Sequence, residues 1–501
     1  MAEPAAPPSG AVATAGRQAQ HLRLLQAIAL VFLLIKLIYI LKAGPIADEA
    51  YYWIWGRHFE LSYFDHPPLQ PWLLGVSDLI FGRSLLALRW LTLATLAGTF
   101  YIYHLWAKRF AGADWQAYFW PGVVIYLASP TFGFFSSLAM HDYLLVFLAL
   151  VSGHFFITYF ADVAEKGRGR LVDLYLGALF LGLTGLTKYS AVLFGLGVLG
   201  FVLASRPLRP LLKSPHLYLA ALLALVLQLP YIVWNVQNGF ASFRFHLEDR
   251  HPSGWLDSIK LNTLGDFIGV SILLVGPFLV PAFVRFLIAR PAAPFERSAQ
   301  GLGRWVFWVS SGFFLVVALF DEVWWWWNLL AYVLLLPFAA KYMGQRVLFY
   351  GHVVFGLVVQ GFLLISSVAV PLLMLWGGSD FLHANLFGWD QLPAPMAALE
   401  EKYHPGFIAA AGADVASIVG YALNDANVTT VVDGNEFQFL FDRAAHRGQS
   451  ALVVLRDDVG KAIIASQFST VTPVATIPIE RFGVDLGRYD IYLASNYHPI
   501  P

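Results

Sequence analysis

Residues 22–52 read LRLLQAIALVFLLIKLIYILKAGPIADEAYY. Residues 22–42 are apolar except for Arg23, Gln26, Lys36 and Lys42, long enough for a helix across ~30 Å of hydrocarbon. Ala43-Gly44-Pro45 then stops the helix, and two adjacent acids, Asp48 and Glu49, follow at the water boundary ahead of Tyr51 and Tyr52. The 22–42 stretch also has features of a signal peptide, but its length and Lys36 favour an uncleaved helix.

The pattern repeats along the chain. Hydrophobic residues make up 58% of the 501 positions and charged residues 13%, against ~45–50% and ~25% in a soluble domain. So little charge cannot cover one large water-facing globule, and the mean hydropathy of +0.63 excludes disorder for most of the chain. A polytopic α-helical membrane protein is expected. Net charge is zero, so no global field points to nucleic acid. Cys is absent, which excludes disulfides, thiolate metal sites and Cys nucleophiles.

Residues 1–20, rich in Ala, Pro and Gly, read as a disordered cytoplasmic tail. Eleven spans are expected, over 22–42, 84–107, 115–130, 138–160, 171–187, 189–205, 216–236, 264–288, 303–320, 324–340 and 348–376. Alternate connections are basic, carrying Lys108 and Arg109, then Lys166, Arg168 and Arg170, then Arg206, Arg209 and Lys213. Arg285, Arg290, Arg297 and Arg304 follow, then Lys341 and Arg346. With Arg17 and Arg23 these are half of the 32 Lys and Arg, which places the N-terminus in the cytoplasm. An odd number of spans leaves the C-terminus outside. The membrane domain is then 21–376, with an extracytoplasmic loop at 43–83. A soluble periplasmic α/β domain over 377–501 has strand-like runs at 428–432, 451–455 and 490–494 and helical patterns near 391–403 and 411–423.

This topology gathers the unusual polar residues on one face: Asp48, Glu49, Asp65, His66, His141, Asp142, Lys188, the cluster from Arg244 to His251, and Asp321-Glu322. Ionisable groups near hydrocarbon are costly unless paired or hydrated, which marks them as site candidates. Plainer roles stand beside this one. Asp48-Glu49 and His141-Asp142 suit first turns of helices, Lys188 suits a snorkelling side chain, and the 244–251 cluster suits a solvated loop. Trp324 to Trp327 suits an interfacial aromatic belt. Asp48, Glu49, His141 and Asp142 offer oxygen and imidazole donors for a divalent metal. No HExxH or comparable spacing supports one, and no cofactor is expected to be required. Tyr63-Phe64-Asp65-His66-Pro67-Pro68 is the most specific string, because two prolines fix extended backbone at the membrane surface.

Ala47-Asp48-Glu49-Ala50-Tyr51-Tyr52 followed by Tyr63-Phe64-Asp65-His66-Pro67-Pro68 resembles the first extracytoplasmic loop of bacterial GT-C glycosyltransferases. The family in question includes protein O-mannosyltransferases, aminoarabinose transferases of lipid A and lipopolysaccharide galacturonosyltransferases. Asp142 is similar to its second acidic position, and Gly185-Leu186-Thr187-Lys188-Tyr189 to its Thr-Lys motif. Pro230 with Trp234-Asn235, and Gly388-Trp389-Asp390, look like further landmarks.

The resemblance implies inverting transfer of a sugar from a polyprenyl-phosphate donor to a lipid or glycan acceptor, chiefly lipid A or lipopolysaccharide. The reaction would take place at the periplasmic face of the inner membrane, among membrane lipids. It implies catalytic roles for Asp48 as general base, for Glu49, and for Asp142, which would position a cation or donor hydroxyl. Lys188, His66 and Arg244 would bind donor phosphate, with Asp65, Tyr52, His141 and Tyr189 supporting. His66 stands where many relatives carry Lys, so phosphate binding rests on Lys188 or Arg244 instead, or His66 is protonated beside Asp65. A protein acceptor is the alternative within the enzyme class. Transport predicts charges at the midplane and symmetry between halves, which the sequence lacks. A non-catalytic scaffold is a further alternative, because one matched position has drifted.

Overall fold

The computed structural model describes residues 9–250, 258–431 and 437–499. Helix α1 runs over Ser9–Lys42, so residues 9–20 are helical rather than disordered. Their alanines favour helix, and the chain enters just after Pro8. Residues 1–8 lie outside the description, as do His251 and Val432.

After α1 come α2 (Ala47–Arg57), α3 (Leu69–Phe81), α4 (Leu85–Ala111), α5 (Gln116–Ala128), α6 (His141–Lys166), α7 (Leu171–Gly185) and α8 (Ala191–Ala204). Among the described residues five helices are long and apolar enough to cross a membrane: Gly16–Lys42, Leu85–Asp114, His141–Lys166, Pro294–Ala318 and Arg346–Val368. The number rises to seven if two bent pairs are each one span: Pro215–Val226 with Leu229–Gln237, bent by 46°, and Leu261–Val275 with Pro277–Ile288, bent by 86°. The protein is therefore a multi-pass membrane protein, but the eleven stretches expected from hydropathy are not eleven straight helices.

Hydropathy reports apolar content and not continuity. The 115–130 stretch is a helix of 13 residues with Pro121 inside. The 324–340 stretch breaks into a 3-10 turn at Trp325–Asn328 and two short helices, Leu330–Val333 and Leu336–Met343. Broken backbone is tolerated at membrane depth where protein side chains satisfy it. At the end of α5, the His352 ring meets the Ile125 carbonyl at 3.0 Å and Gln360 donates to the Leu127 carbonyl at 2.7 Å. Ser129 donates to the Val275 carbonyl at 2.7 Å. Trp106, Phe160, Phe194, Phe286 and Phe338 fill the helical core.

The C-terminal segment builds a five-stranded sheet in the order β2-β1-β3-β5-β4. Its strands are β1 (Phe407–Ala410), β2 (Thr429–Thr430), β3 (Ala451–Arg456), β4 (Phe468–Arg481) and β5 (Val484–Tyr497). β1 lies parallel to β2 and β3, and β5 lies antiparallel to β3 and β4. Helices Pro393–Tyr403 and Ala413–Leu423 match the helical patterns near 391–403 and 411–423. β4 carries Pro473 and Pro478, which an edge strand accommodates beside register shifts.

This unit shares a core with α2. Trp53, Ile54, Tyr51 and Trp55 join Ile418, Val419, Tyr421 and Leu452 in one buried cluster. Gly44, at the exit of α1, has no room for a side chain: a Cβ there would lie 2.1 Å from the Leu386 carbonyl oxygen and 2.7 Å from Trp389 Nε1. The Gly388-Trp389 landmark thus docks the C-terminal unit against the end of the first span.

Candidate active site

The bend between α1 and α2 is held by one buried arginine. The carbonyls at the end of a helix lack partners within it. Arg89, from α4, donates from Nη1 to the carbonyl of Ala43 at 2.8 Å, and at 3.4 Å to those of Tyr39 and Ile40. Its Nη2 donates to the Gly44 carbonyl at 2.9 Å. The same guanidinium grips Glu49 in a two-pronged pair, Nε to Oε1 at 2.8 Å and Nη2 to Oε2 at 2.6 Å. Glu49 also accepts from the Ala139 N–H at 2.7 Å and the Ile46 N–H at 3.2 Å. Both side chains are fully buried.

Glu49 therefore braces α1, α2, α4 and the entry to α6. Its two oxygens take four donors, which fix the carboxylate in this brace. Sequence reasoning passed over Arg89, although an arginine inside an apolar stretch was a usable signal.

Asp48, one residue earlier, faces the other way in chemical terms. It is open to solvent at its surface, yet protein crowds it from several sides. Burial pushes its carboxyl up to about 6, with added repulsion from Asp414, Asp65 and Asp142 and a partial offset from His66. Glu49, paired with Arg89, is not among the causes. A carboxylate poised near neutral pH suits a general base.

The Tyr63–Pro68 string is pinned from both sides. Tyr63 stacks on Trp55 with ring centres 4.6 Å apart, and its hydroxyl donates to the Trp55 carbonyl at 2.9 Å. Ser242 donates to the Tyr63 carbonyl at 3.2 Å. His246 Nε2 donates to the Asp65 carbonyl at 2.7 Å, which requires its proton on that nitrogen. Burial holds the His246 ring down at about 4, so it stays neutral near pH 7.

His66 Nδ1 lies 3.1 Å from Asp65 Oδ1, an electrostatic contact without hydrogen-bond alignment. Burial alone would push the Asp65 carboxyl up; His66, with His246 and Arg250, more than offsets this and holds it below the usual range. The His66 ring stacks on buried His141 at 4.3 Å, and Tyr52 meets His141 edge-on at 4.3 Å. Tyr189 packs against His246 at 5.3 Å.

Lys188 sits in the turn between α7 and α8. That turn is tied to the start of α3 by the Leu69 N–H donating to the Leu186 carbonyl at 3.0 Å. Lys188 Nζ lies 2.8 Å from Asp142 Oδ1, and both side chains are largely enclosed. Asp142 thereby orients the ammonium rather than standing free.

The structure brings together Asp48, Asp65, His66, Tyr52, His141, Asp142, Lys188 and Tyr189. Arg244 is exposed at the end of the short helix Ala241–Arg244, and among the described residues its guanidinium makes no ion pair. Asp414, from the C-terminal unit, joins the group unannounced by any sequence signal, because only tertiary packing brings it there. Among the described residues no three His, Asp or Glu side chains converge in a manner suited to a metal ion. The arrangement offers a base of raised pKa, an oriented ammonium for an anion, and an aromatic and imidazole wall between them.

Fold and cluster together describe a multi-pass membrane protein whose ionisable side chains gather around Asp48. Residues 65–234 match the family model described as dolichyl-phosphate-mannose-protein mannosyltransferase. That range contains His66, Asp142 and Lys188 but not Asp48. The lipid A galacturonosyltransferase RgtD of Rhizobium johnstonii is 27% identical over 241 residues, covering 46% of this chain and 46% of that protein. The alignment thus spans about half the length of the curated relative.

Two crystal structures of ArnT from Cupriavidus metallidurans share the fold. The apo structure has a TM-score of 0.64 over 95% of this chain and 98% of that one, and the structure bound to undecaprenyl phosphate has 0.63 over 94% and 97%. Sequence identity is 16% in both cases, so the likeness is one of fold.

Proposed function

We propose that this protein transfers a sugar from a polyprenyl-phosphate carrier to a lipid acceptor, lipid A or lipopolysaccharide, at the periplasmic face of the inner membrane. The observation that carries the reading is the pairing, in one cluster, of a carboxylate held near pKa 6 with an enclosed, carboxylate-oriented lysine. Asp48 takes the proton of an acceptor hydroxyl. The freed oxygen attacks the anomeric carbon from the face opposite the phosphate, the bond to phosphate breaks, and configuration inverts. Lys188 neutralises the charge that grows on the departing phosphate, where fixed electrostatics contribute most. His66 in the Asp65 contact adds a second positive group when protonated.

The lipid-linked donor is supported by the undecaprenyl phosphate bound in one ArnT structure, and the lipid acceptor by the name of the curated relative. The basic connections and an odd number of spans support a cytoplasmic N-terminus and a periplasmic C-terminal unit. A protein acceptor is the second reading, favoured by the description of the family model. Mass spectrometry of envelope lipids from cells with and without the gene tests the choice. Loss of one sugar from lipid A or core is expected. Unchanged lipids with an altered glycoprotein would replace the acceptor, and no change in either would contradict the reading.

A further inference from the structure

Gln70 is the second residue of α3, two positions beyond Pro68, and its side chain is fully enclosed. A buried amide is costly unless both its ends find partners. Both do. Nε2 donates to the Ala139 carbonyl at 2.8 Å, and Oε1 accepts from the Tyr143 hydroxyl at 2.8 Å. The carbonyl can only accept, which fixes the way the amide faces. Ala139 and Tyr143 flank His141 and Asp142, so one side chain grips the entry of α6 on either side of two candidate site residues.

The same turn of α3 has two further ties. Pro67-Pro68 joins it to His66, whose ring centre lies 4.3 Å from that of His141. Its Leu69 N–H donates to the Leu186 carbonyl at 3.0 Å, two residues before Lys188. Lys188 in turn meets Asp142 at 2.8 Å. The Tyr63–Pro68 string, the α6 entry and the Lys188 turn thus close a ring of contacts through the first turn of α3. Stacked rings tolerate sliding, whereas the two hydrogen bonds of Gln70 fix both distance and direction. An apolar residue at position 70 would fill the space and leave that register unset.

We propose that Gln70 is a positioning residue for the donor-phosphate side of the site: it locks α3 to the entry of α6 and so sets His66 and Lys188 at their working separation. The inference rests on the reading of Lys188 as the phosphate contact. The acceptor side is held independently, because α2, which carries Asp48, is fastened by Arg89 through Glu49 and the carbonyls that end α1.

The test is the kinetics of the full-length Gln70→Met variant in membranes, with donor and acceptor each varied in turn. Methionine keeps the length and bulk of the side chain and loses both bonds. The KM for the lipid-phosphate donor should rise by about 5–20-fold, and the KM for the lipid acceptor should hold within about twofold, because only groups on the donor side are displaced. Tyr143→Phe removes one of the two bonds and should raise the donor KM by about two- to fourfold. The double variant should be no worse than Gln70→Met alone, because the two residues share one contact.

An unmoved donor KM, an equal rise in both KM values, or a loss of kcat with both KM values unchanged overturns the proposal. If Gln70→Met does not accumulate, Tyr143→Phe decides, and an unchanged donor KM there overturns it. Failure of the underlying reading is a separate result, visible as unchanged donor kinetics in Lys188→Ala.

Discussion

Replacing Arg89 by alanine should unfasten the junction between the first span and helix α2. The magnitude follows from what Arg89 touches. It forms a fully buried two-pronged pair with Glu49 and donates to the Ala43 and Gly44 carbonyls at 2.8 and 2.9 Å. Removing one partner of a buried pair costs about 3–5 kcal/mol, because the remaining charge is stranded. Each orphaned carbonyl adds about 1–3 kcal/mol, with incomplete additivity among neighbours. A loss of at least about 4 kcal/mol is a large part of the ~5–15 kcal/mol that holds a typical domain together.

The assay is thermal unfolding of detergent-purified protein at one scan rate. A drop of roughly 5–10 °C is expected for Arg89→Ala in a chain of this size. Glu49→Gln combined with Arg89→Met should recover part of that loss, because no charge is then left unpaired. A midpoint for Arg89→Ala within about one degree of the parent would refute the brace. Equality of the double variant and the worse single variant would refute the electrostatic account of it.

The remaining predictions concern the site and its supports. Lys188→Ala should raise the KM for the lipid-phosphate donor or lower kcat, by about 10–100-fold in kcat/KM, since a charge-assisted phosphate contact is lost; unchanged donor kinetics would remove Lys188 from that role. Transfer should fall as pH drops through about 6, because Asp48 must be ionised to accept a proton and burial pushes its carboxyl up to that value. A rate flat from pH 5 to 8 under conditions where chemistry limits would contradict it. Gly44→Val should push the Leu386–Trp389 segment away from the end of α1, since even a Cβ would lie 2.1 Å from the Leu386 oxygen. Limited proteolysis should then release the C-terminal unit faster, and an unchanged cleavage rate would show that this contact does not hold it.

Much of the architecture was legible because local signals agreed. The first helix ends at Lys42, where Gly44 and Pro45 predict it, and strand β3 covers the Ala451–Leu455 run. Helix Ala413–Leu423 follows the pattern read over 411–423. Asp48, Asp142 and Lys188 were legible as charges that a membrane boundary penalises. What stayed hidden depends on partners distant in sequence. Glu49 reads as half of an acidic pair at the membrane boundary, and its partner Arg89 comes from another helix. Asp414 lies in an ordinary helix start and gains meaning only through the packing of that helix on α2.

Broken spans escaped for a related reason. A hydropathy window is blind to Pro121, Pro230 and Pro337, and to the His352 and Gln360 side chains that make the breaks affordable. β4 was missed because its two prolines read as breakers unless the strand is known to lie at a sheet edge.

The most direct test of the central claim is transfer by Asp48→Asn, measured with lipid-phosphate donor and lipid acceptor beside the parent protein at matched amount and thermal stability. Asn keeps the size and polarity of the side chain and removes its ability to take a proton. The account predicts a loss of about 10²–10⁴-fold in the rate of the chemical step, with donor binding retained. Turnover at the parental rate by a folded Asp48→Asn protein would show that the proton goes elsewhere, and the proposed mechanism would have to be abandoned.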